Sequence, residues 1–145
     1  MSGAGDEADR AADQGEPADI YELFQEGRRR LQDGMPAQAT VPLERARRAE
    51  PGKASIREAL GIAYFRLRRW QDAEAEFRAV LEASPVDAYA HYALARCLDK
   101  LGRAAEANPH YKLAQFLDPA RIEELGGEGG PRDGGEGAAG GGQAG

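Results

Sequence analysis

The chain has 145 residues, which suits one domain with tails, and its 19 basic and 25 acidic side chains give a formal net charge of −6. This balance argues against a generally basic nucleic-acid binder, which must neutralise many phosphates, so we do not expect a nucleic-acid partner. The single cysteine excludes an intramolecular disulfide framework and a thiolate zinc site. Val, Ile and Thr together number only eight, and this scarcity of strand-forming residues predicts an all-α fold.

The two ends of the sequence differ from its middle. Residues 1–19 carry a net charge of −5 and lack an apolar run, which predicts a disordered acidic tail and no signal peptide. Residues 122–145 carry −4 and hold eleven of the 19 glycines, which predicts a short helical turn and then a disordered Gly-rich tail. Residues 20–121 carry +3 and all ten aromatic residues, so we expect the folded domain there. No apolar run approaches the roughly 18 residues of a membrane span, and we expect a cytoplasmic protein without a membrane partner.

A 34-residue period organises the middle of the chain. Pro51, Pro85 and Pro119 recur at this spacing. Four further columns keep the same register: Ala39, Ala73 and Ala107; Leu43, Phe77 and Tyr111; Ala46, Val80 and Ala114; Gly27, Gly61 and Ala95. The period divides the domain into units 20–53, 54–87 and 88–121, and such a repeat indicates stacked structural units.

Each unit is predicted to be a helical hairpin. In the second unit, apolar residues recur at helical spacing on both sides of a break at Arg68 and Arg69. Pro85 then ends the second helix, because proline cannot continue a helix. Polar residues predict the starts of the first helices, as capping boxes or single caps: Asp19 with Glu22, Ser55 with Glu58, and Asp87.

The small residues of one column have a predicted place in each hairpin. Two helices whose axes lie about 8–10 Å apart leave no room for large side chains where they cross. We therefore expect Gly27, Gly61 and Ala95 at this crossing, opposite the alanine column of the second helices. We expect the large column that begins at Leu43 to fill the gap between successive hairpins.

Two prolines lie inside predicted second helices. Pro42 and Pro109 each remove one intrahelical hydrogen bond and crowd the preceding turn. We expect a kink at each, or a helix start shifted towards the proline.

This pattern resembles the tetratricopeptide repeat, a 34-residue helix–turn–helix unit with a Leu-Gly pair and a closing proline. The second unit matches best, with Leu60-Gly61, Tyr64, Ala73, Phe77 and Pro85 in order. The resemblance implies an all-α solenoid, an α-α superhelix of three hairpins. It also implies that the first helices line a concave face, where members of the family usually bind peptides or partner domains.

A set of aromatic and arginine residues is expected to face this concave groove. Arginine offers two parallel donors to a carboxylate, and aromatic side chains give a large contact area with few rotatable bonds. The predicted partner-binding residues are Tyr21, Phe24, Arg28, Phe65, Arg66, Tyr89, Tyr92 and Arg96. An alternative is that several of the aromatics pack between repeats. The comparable stripe contains no asparagine, so the resemblance does not extend to the Lys/Asn carboxylate clamp of the family's chaperone-binding members.

The sequence offers little for catalysis. His91 and His110 lie 19 residues apart on different predicted helices and are expected to be surface or interhelical residues. Cys97 lies on an apolar helical stripe and is expected to be a buried, inert thiol. Trp70 is expected to pack under a hairpin turn. We therefore expect no enzyme activity, no cofactor and no metal.

Two functions remain open from the sequence. The first is a scaffold that binds a partner protein or peptide in its concave groove. The alternative is a self-associating protein, such as a homodimer, that uses an incompletely capped last hairpin. Apolar surface around Leu113, Phe116 and Leu117 would then be the contact.

Overall fold

The computed structural model describes residues 17–126, and the remaining parts of the predicted tails lie outside the described residues. Helices make up the described part of the chain, with no strand in it, and this confirms the all-α prediction. They are α1 (Pro17–Gln32), α2 (Pro36–Ala49), α3 (Ala54–Arg66), α4 (Trp70–Ala83), α5 (Ala88–Lys100), α6 (Ala104–Leu117) and α7 (Pro119–Leu125).

The helices form three antiparallel hairpins that stack in chain order. Within hairpins, α1 packs on α2, α3 on α4 and α5 on α6, while α2 packs on α3 and α4 on α5 between them. This neighbour-only packing is typical of a solenoid. α7 then packs on α5 and α6, and its buried Ile122 joins the core.

The glycine column lies where the two helices of a hairpin approach closely, as predicted. A Cβ atom added at Gly27 would lie 2.3 Å from Cγ of Leu43, and one added at Gly61 would lie 2.7 Å from Cζ of Phe77. The large column thus packs directly on the glycine column of its own hairpin. The Phe77 ring also meets Tyr89 of the next hairpin at 6.2 Å, as expected of a residue in the gap between hairpins.

Each hairpin turn contains one residue with a left-handed backbone. Gly34, Arg68 and Gly102 have φ angles of 74°, 62° and 78° and are spaced by 34 residues. In each turn the next residue donates its N–H to a carbonyl five residues back, and the Arg69 to Tyr64 bond of the second turn is 2.9 Å long. This arrangement stabilises a helix C-terminus and favours glycine at the left-handed position.

The prolines do not shift the helix starts. α2 begins at Pro36 and continues through Pro42, and α6 begins at Ala104 and continues through Pro109, so that part of the expectation was wrong. One proline removes only one intrahelical bond. The helix surrounding Pro42 is anchored by packing, since Pro42 and Leu43 are both buried.

The predicted caps were right in one case of three. The Asp87 carboxylate accepts a hydrogen bond from the Ala90 N–H at 3.0 Å, so Asp87 caps α5. α1 instead begins at Pro17, which places Asp19 inside its first turn, and α3 begins at Ala54 after Lys53 without a side-chain cap. Proline is well suited to the first position of a helix because its missing N–H would be unpaired there.

A buried carboxylate connects the first two hairpins. Glu76 on α4 is buried and pairs with Arg47 of α2 and, at 3.1 Å, with Arg57 of α3. A buried charge is tolerated only when it is paired in this way. Glu76 therefore fixes the position of the second hairpin against the first.

We predict that Gly27→Ala destabilises the domain. The added methyl meets a fully buried Leu43, and overpacking costs about 1–3 kcal/mol, which exceeds the roughly 1 kcal/mol gained in helix propensity. Urea unfolding followed by circular dichroism measures the change. Gly52→Ala is the matched control, because a Cβ added at Gly52 has no atom within 4 Å. An equal loss of unfolding free energy in both variants would contradict the close crossing of the two helices.

Candidate functional site

One cavity lies between the second and third hairpins, with a volume of about 380 Å³. It is lined from α3 and its following turn, from α4 and α5, and from the end of α7. The lining residues are Ile62, Phe65, Arg66, Arg68, Trp70, Phe77, Tyr89, Tyr92, Ala93, Arg96 and Leu125. This set, named the groove cavity below, includes five of the eight residues predicted to bind a partner.

Two cationic side chains of α5 flank a pair of aromatic rings that line the groove cavity. The Arg96 guanidinium lies over the Phe65 ring at 4.6 Å, and the Phe65 ring meets Trp70 edge to face at 4.8 Å. Lys100 then covers Trp70 at 5.6 Å from its ring centroid. Arg96 and Lys100 lie one helical turn apart on α5, and this spacing places one cation on each of the two rings.

Two further arginines border the groove cavity at the hairpin-turn end. Arg66 donates to the carbonyl oxygen of Leu31 at 2.9 Å, so it links α3 to the C-terminus of α1. Arg68 lies in the turn, in the left-handed conformation described above. The cavity lining therefore contains three arginines and no acidic residue.

Tyr92 has a supporting place in this site. Its side chain is only 1% exposed, and its hydroxyl donates to the carbonyl oxygen of Leu125 at 2.8 Å. The sequence placed Tyr92 on an open groove surface, whereas α7 covers it. Tyr92 therefore holds α7 at the edge of the cavity and offers little surface of its own.

The three predicted residues of α1 lie outside the groove cavity. Tyr21 is 63% exposed, and its hydroxyl accepts a hydrogen bond from the Gln25 side chain at 2.7 Å. Phe24 is half-buried against the core, with the exposed Arg28 guanidinium 5.7 Å from its ring centroid. The structure thus divides the predicted set into a cavity group and an α1 group.

Acidic groups lie beyond the other end of the groove cavity. Burial raises the pKa of the half-buried Glu58 carboxyl, and the charge of Asp87 adds to this rise, while Arg121 and Arg28 oppose it. Burial, and then Glu58, raises the pKa of Tyr89 to about 12. Arg121 of α7 lies over the Tyr89 ring at 5.3 Å. Acidic and basic groups are therefore mixed near the starts of α3 and α5, whereas the hairpin-turn end of the groove cavity carries arginines.

The two histidines are brought into direct contact between α5 and α6. Their Nδ1 atoms are 3.0 Å apart, and Nε2 of His91 lies 2.8 Å from the carbonyl oxygen of Pro85. Since a carbonyl oxygen only accepts, Nε2 of His91 donates, and Nδ1 of neutral His91 accepts from His110. The pair occupies the repeat positions held by Arg57 and Glu76 in the second hairpin, so it is an interhelical contact, as predicted.

Other chemistry is limited in the described residues. Cys97 is buried as predicted, and burial raises the pKa of its thiol to about 12, which suppresses the reactive thiolate. Residues 17–126 contain no group of three His, Cys, Asp or Glu side chains that could hold a metal ion. No helix in that range is long and apolar enough to cross a membrane.

The predicted set lacked six residues of the groove cavity, namely Ile62, Arg68, Trp70, Phe77, Ala93 and Leu125. Trp70 and Phe77 belong to α4, and Leu125 belongs to α7, whereas the prediction considered only the first helices. The signal for Arg68 was present in the sequence, because it stands 34 residues from both Gly34 and Gly102.

Family comparison agrees with the stacked hairpins. The family model for the tetratricopeptide repeat matches residues 24–85 and 58–122, which together span more than half of the chain. The chain belongs to the tetratricopeptide repeat family. A search of curated proteins found no match.

Solved structures with tetratricopeptide repeats have the same fold. The chain of a MamA mutant structure is 28% identical, with a TM-score of 0.70 over 81% of this chain and 88% of that one. The first such domain of Spaghetti (RPAP3), bound to an HSP90 peptide, is 20% identical, with a TM-score of 0.66 over 69% of this chain and 79% of that domain. The CopN–Scc3 complex contains a chain that is 17% identical, with a TM-score of 0.66 over 70% of this chain and 60% of that one.

We predict that the histidine pair makes stability depend on pH. Burial, and then the charge of His91, lowers the pKa of His110 below its ordinary value of about 6.5, with Arg78 lowering it further and Glu106 opposing. The unfolded chain therefore binds more protons just below that value, so the free energy of unfolding should fall as pH drops through it.

Urea unfolding between pH 8 and pH 5 measures this dependence. His110→Asn keeps a donor near the Nδ1 position and cannot titrate, so it should flatten the pH profile between about 7 and 5. An unchanged profile in this variant would contradict the assignment to His110.

Proposed function

We propose that the chain is a non-catalytic interaction scaffold that holds a segment of a partner protein in the groove cavity. The observation that carries the proposal is a cavity of about 380 Å³ with tryptophan, tyrosine, phenylalanine and arginine in its lining. Aromatic and arginine side chains dominate the binding energy of protein interfaces. Helices α3, α4 and α5 and the turn between α3 and α4 hold these side chains.

The related structures support this role. The Spaghetti (RPAP3) domain was solved with an HSP90 peptide, and CopN and Scc3 form a complex. A stack of repeats stabilises itself through neighbouring hairpins and leaves one extended face available for a partner. The cytoplasmic location and the absence of a nucleic-acid partner stay predictions from the sequence.

Site-specific crosslinking tests the proposal. In one variant the photo-reactive residue p-benzoylphenylalanine replaces Ile62, which lines the groove cavity. In the control variant it replaces Val41, which is exposed on α2. Illumination in the native cell should crosslink a partner protein from position 62 and not from position 41. Equal crosslinking from both positions, or crosslinking from 41 alone, would contradict a partner site in the cavity. Circular dichroism checks that both variants are folded.

The second candidate function is self-association through α6. Phe116 is 80% exposed and Leu113 is 40% exposed. The same repeat positions hold Glu82 and Ala79 in the second hairpin and Arg48 and Arg45 in the first. The repeat fold does not require this exposed pair, because only the last hairpin has apolar side chains at both positions. Burial against a second copy of the chain would remove Leu113 and Phe116 from water.

Sedimentation velocity at high micromolar concentration tests the second candidate. The chain should form a dimer that Phe116→Ser converts to a monomer. Val41→Ser, which removes an exposed apolar residue from the first hairpin, should leave the dimer intact. A strictly monomeric chain, or a dimer that persists in Phe116→Ser, would rule out α6 as the contact.

A further inference from the structure

Arg68 occupies a turn position for which the fold itself favours glycine. The equivalent residues of the other hairpins are Gly34 and Gly102, with the same left-handed backbone and nothing within 4 Å of an added Cβ. The surroundings would therefore accept a side chain at this turn position. What favours glycine there is the left-handed backbone, which residues with a Cβ adopt only at a cost in free energy.

Arg68 is also the one turn residue of this kind that borders the groove cavity. Residues held in unfavourable backbone conformations cluster at binding sites, where the contact they make outweighs the strain. The strained backbone of Arg68 is therefore a reason to expect that its side chain binds a ligand. Together with Arg66 and Arg96 it gives the cavity three guanidinium groups.

The lining defines the chemistry of the occupant. Three arginines without an acidic residue in the lining favour an anion, and guanidinium groups match the geometry of carboxylates. The side chains of Phe65, Trp70 and Tyr89 favour an apolar group next to that anion. An acidic peptide that carries one large apolar side chain satisfies both requirements.

The observations favour a peptide over a nucleic acid. One face of each of the three aromatic rings is covered by a cationic side chain, from Arg96, Lys100 and Arg121. Base stacking needs open ring faces, so this coverage disfavours it.

We propose that the groove cavity binds an acidic peptide segment, whose apolar side chain packs in the cavity against Phe65, Trp70 and Tyr89 while its carboxylates pair with Arg66, Arg68 and Arg96. Arg68 is the specificity-determining residue. Its contact with a carboxylate of the peptide outweighs the strain of its left-handed backbone. This inference rests on the proposed scaffold function and names the class of partner segment.

The sole tryptophan provides the test, because Trp70 lines the cavity and its fluorescence reports occupancy. The full chain is titrated with the blocked peptide Glu-Asp-Leu-Asp-Glu, with its amide counterpart Gln-Asn-Leu-Asn-Gln and with a single-stranded oligothymidylate. The acidic peptide should bind at least about tenfold more tightly than its amide counterpart, as expected when charge-assisted hydrogen bonds are lost. Equal affinity for the two peptides, or tighter binding of the oligothymidylate, would overturn the proposal.

Arg68→Gly separates a binding role from a structural one. It should weaken binding of the acidic peptide about fivefold to tenfold, the loss of one charge-assisted contact, while its Tm stays equal to or above that of the parent chain, since glycine relieves the strain. Arg29→Gln removes an equal charge from the exposed last turn of α1 and should leave affinity unchanged. Undiminished affinity in Arg68→Gly, or a lower Tm, would overturn the role of Arg68.

The outcome also distinguishes this inference from the scaffold function itself. If neither peptide binds while position 62 still crosslinks a partner in the cell, the acidic class is wrong and the scaffold function stands. If both experiments fail, the groove cavity is not the partner site.

Discussion

The close approach of two helices at the glycine column is the constraint on which the structure depends. Leu43 and Phe77 lie so near Gly27 and Gly61 that no Cβ fits between them. This contact sets how the first two hairpins close, and in the third hairpin the buried Ala95 occupies the same repeat position. Because each hairpin buries its faces only against its neighbours, the stack leaves side chains of the first helices available at one surface.

The groove cavity follows from this stacking and from the last helix. α3 and α5 supply Phe65, Arg66 and Arg96 from one side, and the turn before α4 supplies Arg68. α7 closes the far edge through the bond between Tyr92 and the Leu125 carbonyl. The same short helix leaves Phe116 of α6 exposed, so one element both completes the cavity and leaves a second apolar surface.

Features that follow from regular spacing were predictable from the sequence, and features that depend on turns or distant contacts were not. The crossing at Gly27 and the groove positions of Phe65 and Arg96 follow from helical and 34-residue periodicity. The start of α3 was misplaced because Ser55 fits a capping pattern that the backbone does not use. The burial of Tyr92 depends on α7, which lies 33 residues away from it at Leu125. Arg68 was missed as a site residue because the prediction considered the first helices and not the turns that follow them.

A nuclear magnetic resonance titration tests most directly whether the cavity is the binding surface. The isotope-labelled full chain is titrated with the acidic peptide, and amide shift changes are mapped along the sequence. The account predicts the largest changes in residues 62–70, in 89–96 and at Leu125, with little change on the outer face of α6. Changes centred on Leu113 and Phe116, or spread evenly over the chain, would contradict it.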